Sequence, residues 1–96
     1  MNVIQRTDDG RMLFECPGCD MQHGVYVDRE QRPRWDWNGS MDSPTFSPSI
    51  LVTWEWGEQR KKKVCHSYVR DGQIQFLSDC THQLAGQTVP LPPIDR

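Results

Sequence analysis

The chain has 96 residues, with 13 acidic and 11 basic side chains, a formal charge of −2 and a pI near 5.8. That length allows one domain with a marginal core, and the slight acidity argues against a dedicated nucleic-acid binder, whose footprint is strongly basic. No apolar run approaches the roughly 18 residues of a membrane-spanning helix.

Only 35% of residues are hydrophobic, and seven Pro and seven Gly interrupt the chain. A domain of this kind needs a staple, from disulfides or from metal. The opening MNVIQRTDDGRM carries charges where an apolar export segment would lie. A cytoplasmic location with reduced thiols is therefore expected, and metal is preferred to disulfide for the four cysteines.

In chain order, Arg11–Glu15 reads as a strand leading into Cys16-Pro17-Gly18-Cys19. A Cys-x2-Cys turn entered from a strand resembles a zinc knuckle: it sets two thiolates on one side, as tetrahedral Zn²⁺ requires. His23 follows at a ligand-like spacing. Val25–Val27 and Trp35–Trp37 read as short strands, and Ser49–Trp56 as a longer β-branched and aromatic one. Trp35/Trp37 and Trp54/Trp56 each place two rings on one side of a strand. One pair suits a core, and Trp35 with Trp37 forms a candidate plate for an extended peptide. The cluster Arg60–Lys63 reads as a solvated strand edge or loop.

Residues 65–82 read CHSYVRDGQIQFLSDCTH. Asp-Gly between alternating segments is a strong two-residue hairpin signal. It pairs Arg70 with Gln73 and, further out, Cys65 with Ser78. Alternation then puts Cys65, Ser67, Val69, Ile74, Phe76, Ser78 and Cys80 on one face, and His66, Tyr68, Leu77 and Asp79 on the other. Cys65 and Cys80 become diagonal neighbours, which suggests a metal site of Cys16, Cys19, Cys65 and Cys80, with His23 or His82 as the competing ligand. His66 and Asp79 have the arrangement of a base and its orienting carboxylate. Candidate hydroxyls are Ser67, which could reach His82 if the chain stays extended, and Ser47 or Ser49 of the Pro-stiffened SPTFSPS stretch. Thr81–Gly86 is expected to form one helical turn, and 90–93 an extended tail. The whole of 1–96 thus reads as a single β-rich, all-β domain of short antiparallel strands stapled by zinc.

The elements CPGCDMQH, WDWNG, SPTFSPSI and CHSYVRDGQIQFLSDCTHQLAGQTVPLP, in this order from about Phe14 to Pro93, resemble a small family of phage and bacterial proteins. A related branch, the BubE-like proteins, accompanies bacterial ubiquitin-like conjugation operons. The resemblance implies a zinc-bearing, peptidase-like domain in a bacterial host cell, acting on a protein or peptide substrate such as a ubiquitin-like protein. The positions it carries over are Cys16, Cys19, His23, Ser49, Cys65, His66, Ser67, Asp79, Cys80 and His82. Two enzymatic versions follow, a serine-type site beside a structural zinc and a site with catalytic zinc. The alternative is a non-enzymatic phage module that binds a protein through a zinc-stapled β fold. Exposure of His66 and Asp79 to water separates chemistry from structure.

Overall fold

The computed structural model describes residues 2–28, 30 and 32–94. Eight strands form two antiparallel sheets, and no helix occurs among the described residues. None is therefore long and apolar enough to cross a membrane. Strands β1 (Ile4–Arg6), β2 (Arg11–Cys16) and β3 (Met21–Tyr26) make a three-stranded sheet in that order. Strands β4 (Asp36–Trp37), β5 (Phe46–Trp56), β6 (Lys61–Arg70), β7 (Gln73–Phe76) and β8 (Thr88–Pro90) make a five-stranded meander.

Each sheet buries one face, and the period-two pattern shows which. Met12, Phe14 and Cys16 of β2 alternate inward, as do Cys65, Ser67 and Val69 of β6 and Ile74 and Phe76 of β7. Phe14 and Phe46 stack across the two sheets with centroids 6.4 Å apart. Leu91 closes the core from the C-terminal side, and the Ile94 N–H donates to the Asn2 carbonyl, joining the two ends.

The β6–β7 hairpin has the expected register, with Arg70 opposite Gln73 and Ser67 opposite Phe76. Asp71 and Gly72 both take positive φ, 51° and 77°, the pair of angles a type I′ turn requires. The pairing stops sooner than the sequence suggests: β7 ends at Phe76, and 78–79 turn. Ser78 accordingly leaves the cysteine face and is exposed. Other expectations also need correction. A strand precedes Arg11, β3 begins at Met21 rather than Val25, and β5 begins at Phe46 rather than Ser49. Thr81–Gly86 is a run of bends and turns rather than a helical turn, and the chain beyond it adds β8, an unexpected strand, before the extended tail. That edge was hidden because Thr88-Val89-Pro90 is too short to show a period.

A Cβ at Gly72 would lie 3.1 Å from the Asp42 carbonyl oxygen, and the φ there is left-handed. Gly72→Ala is expected to lower unfolding free energy by about 1–2 kcal/mol, the left-handed penalty for a side chain. Chemical denaturation of the two proteins, with unchanged slope, checks this.

Candidate active site and metal centre

His66 stands on the outer face of β6, the face opposite Cys65 and Ser67. Its Nδ1 lies 3.0 Å from Asp79 Oδ2 and its Nε2 lies 3.1 Å from Ser49 Oγ. A carboxylate can only accept, so Nδ1 carries the proton and the Nε2 lone pair receives the Ser49 hydroxyl. Serine, imidazole and carboxylate thus form one hydrogen-bonded chain, with its base poised to take the serine proton. The His66 side chain is 25% exposed and that of Asp79 56%. Both side chains are therefore open to water.

Two local features bring the outer members to His66. On β5, Phe46 pairs with Val69 but Ile50 pairs with Ser67, so two extra residues bulge between them. Pro48 sits in that bulge, where its missing N–H breaks no ladder bond. Ser49 shares the outer face with Leu51, the direct partner of His66, and so lies diagonal to the imidazole. On the other side, the turn after β7 aims Asp79 back at β6. The segment beyond is anchored to the β6 backbone. The His66 N–H lies 3.2 Å from Cys80 Sγ, whose S–H lies 3.2 Å from the His66 carbonyl. Thr81 bonds both backbone groups of Val64, accepting at Oγ1 from the N–H and donating its own N–H to the carbonyl.

The inner face of the same strand carries the cysteines. Cys16, Cys19, His23 and Cys65 offer ligand atoms that all lie within 4.8 Å of one another, and Cys65, Cys80 and His82 form a second such group. The Cys16 and Cys65 sulfurs are 3.8 Å apart, the separation that two bonds of about 2.3 Å to a tetrahedral ion require. The four cysteines are free thiols. The Cys65 thiol beside Cys16 holds the latter as a thiolate, down to about 4, and Cys65 is pushed up in turn. Burial pushes Cys19 up to about 12. The Nε2 atoms of His23 and His82 are both buried without a hydrogen-bond partner. For His23 this calls for a ligand, whereas the Nε2 of His82 carries the proton, because its Nδ1 accepts from a backbone N–H. The residues present fit a metal ion.

His82 belongs to this side of the strand. Its Nδ1 accepts the Leu84 N–H, its ring packs edge-on against Phe76 at 4.4 Å, and a Cβ on Gly18 would sit 2.3 Å from it. The knuckle glycine is therefore required by the imidazole lying against it. His23 stands with the knuckle pair and Cys65, whereas Cys80 groups with Cys65 and His82. The all-cysteine set expected from sequence is not one cluster here.

Ser67 is 1% exposed and its Oγ has no partner. It reaches neither His66 nor His82, because strand alternation sends it into the core and the chain past Cys80 turns away. Ser47 is exposed beside the bulge without a bond to His66. Trp35 and Trp37 are half-buried against the core, and their indole N–H groups donate to the Ser49 and Ser40 carbonyls. Trp35 thereby holds the Ser49 backbone and Trp37 the 38–40 turn, while Trp56 is a 68% exposed ring. The clamps from Cys80 and Thr81 were not legible, since only the early end of β7 creates them.

If one ion occupies this centre, purified protein will carry about one equivalent of zinc by elemental analysis, and Cys65→Ala will carry none. Chelation is expected to lower the unfolding midpoint by roughly 10 °C or more, corresponding to ~2 kcal/mol in a domain of this size. Parallel metal analysis of His23→Ala, His82→Ala and Cys80→Ala identifies the fourth ligand as the variant that loses the ion.

No curated protein and no solved structure matches the chain. The family model described as bacterial ubiquitination-like system serine protease (BubE) matches residues 1–77. The matched span holds Ser49 and His66 together with Cys16, Cys19, His23 and Cys65, and it ends two residues before Asp79. By that match over most of its length, the chain belongs to the BubE family of bacterial ubiquitination-like system serine proteases.

Proposed function

We propose that the chain is a serine-type peptidase that cleaves a ubiquitin-like protein or its conjugates, with zinc in a structural role. The observation that carries this reading is the unbroken hydrogen-bond chain Ser49–His66–Asp79 on a water-accessible face. Ser49 Oγ attacks the scissile carbonyl as His66 Nε2 removes its proton, and Asp79 steadies the imidazolium through Nδ1–H. Collapse of the tetrahedral intermediate breaks the C–N bond, and His66 returns its proton to the leaving amine. A water molecule, deprotonated by His66, then hydrolyses the acyl-serine and releases the carboxylate product.

The cysteine cluster lies behind this face, and burial assigns it a different task. Cys16 and Cys65 are each 1% exposed and His23 5%. Cys19 alone of the four is half-buried, beside Met21, Trp54, Trp56 and Lys63, and the burial of the other three supports the serine-type version over a metal-activated water. Zinc there would close a thiolate-rich site that holds the three-stranded sheet to the meander. The adjacent pairs Cys65–His66 and Asp79–Cys80 link that staple to the reactive groups. Four free thiols suit a reducing compartment such as the bacterial cytoplasm. Exposure of His66 and Asp79 supports chemistry over the purely binding module.

Cleavage of a ubiquitin-like protein bearing a short C-terminal extension tests the assignment. Ser49→Ala and His66→Ala should each lose at least ~10³-fold in kcat, as members of such a unit do. Asp79→Asn should lose ~10²- to 10⁴-fold through tautomer and orientation. Ser67→Ala removes a buried hydroxyl that makes no bond, so cleavage should stay within about twofold and stability should not fall. Full activity in Ser49→Ala would end this reading.

A further inference from the structure

Strand β5 is paired on both sides only at its start. β4 meets it at Ser47 and Phe46 and goes no further, whereas β6 runs beside it from Ile50 to Trp56. The bonds of β6 show which β5 groups are left over. His66 directs its N–H and C=O away from β5, towards Cys80 and the Leu77 N–H. Val64 does the same towards Thr81. In an antiparallel ladder their partners, Leu51 and Thr53, must then point their own N–H and C=O away from β6. Among the described residues no strand pairs with them there. By the same alternation Glu55 continues the row. This open edge ends at the serine, because the Trp35 indole already donates to the Ser49 carbonyl at 3.2 Å.

Exposed edges of this kind are templates for another chain, and folded proteins ordinarily blunt them. Here Pro48 and the bulge lie on the far side of Ser49, so the edge at Leu51 and Thr53 stays open and leads directly to the serine. We infer that β5 binds the substrate by strand addition: an extended segment of the protein substrate pairs with Leu51 and Thr53 and carries its scissile carbonyl over Ser49. The inference rests on the serine-peptidase reading and deepens it. Leu51 and Ser49 are two residues apart, about 7 Å along a strand. A peptide paired at Leu51 therefore needs about two further residues to reach the hydroxyl. Backbone pairing of this kind admits extended tails and excludes bonds inside folded elements, and it fails where proline or a methylated amide faces β5. Leu51, 58% exposed on the outer face beside His66, gives such a tail an apolar contact.

Thr53→Pro removes one edge N–H without touching the β5–β6 ladder, so circular dichroism and the unfolding midpoint should match the parent. Cleavage of the extended ubiquitin-like protein should fall about tenfold, mainly through KM, for the pairing lost. Labelling of Ser49 by a small fluorophosphonate, which needs no strand pairing, should keep its rate. Independently of that variant's folding, the parent chain can be given synthetic tail peptides N-methylated one residue at a time. Loss of kcat/KM should alternate with a period of two. A flat N-methyl profile, or Thr53→Pro cleaving as the parent does, overturns strand addition and leaves the serine assignment standing. Absence of fluorophosphonate on Ser49 in the parent overturns both. Dimerisation that Thr53→Pro abolishes would give the edge to a second copy of the chain and likewise overturn the proposal.

Discussion

The alternation of side chains along β6 is the constraint from which the rest of the molecule follows. Cys65 and His66 are consecutive, so one enters the core and the other faces solvent. A slip of one residue in register would exchange them, exposing the thiol and burying the imidazole. The Asp71-Gly72 turn prevents that slip by fixing which residue of β7 meets which residue of β6. The Cys/His cluster and the Ser–His–Asp chain are therefore not two neighbouring sites that happen to be close. They are the two faces of one strand, and the turn sets both.

A regular hairpin is not enough, and the departures from regularity do the positioning. Had β7 continued past Phe76, Asp79 would have lain on a strand, diagonal to His66 but directed parallel to it. The turn at 78–79 instead lets the carboxylate approach Nδ1 end-on, and Cys80 and Thr81 hold the rejoining chain by sulfur and hydroxyl. The bulge before Ile50 does the same on the other side. Two extra residues on β5 let the outer-facing serine reach the second imidazole nitrogen, with Trp35 holding its carbonyl. Irregular backbone beside a regular strand is a common way of aiming a side chain.

Much of this was legible in residue order because it depends on local rules. The all-β class, the Asp-Gly register, the inward face of Cys65, Val69, Ile74 and Phe76, and the pairing of His66 with Asp79 all follow from period two and one turn. The choice among serines was not legible. Ser67 is nearest to His66 in sequence, and only the strand's own alternation argues against it, whereas Ser49 needs the β5–β6 register and the bulge. The partition of ligands was hidden for a similar reason. Cys80 and His23 are both spaced as ligands, and the early end of β7 decides that Cys80 also bonds the His66 backbone. The setting of Trp35 and Trp37 was hidden because a W-x-W pair looks alike whether it faces solvent or packs half-buried on the core.

A domain of 96 residues has little core to spare for holding a reactive site rigid. Its largest buried side chains are three phenylalanines, and the buried Nε2 of His23, a residue grouped with three thiols, has no hydrogen-bond partner. An ion on those groups would supply stability that burial cannot, and it would do so where rigidity matters for chemistry. Cys65 fixes the backbone before His66, and Cys80 fixes the backbone after Asp79 while touching both main-chain groups of His66. Asp79 itself is more than half exposed, so its own surroundings constrain it weakly. The orientation of the carboxylate must therefore come through its neighbour in the chain. On that argument the cluster is a positioning device for the base and its carboxylate as much as a staple between sheets.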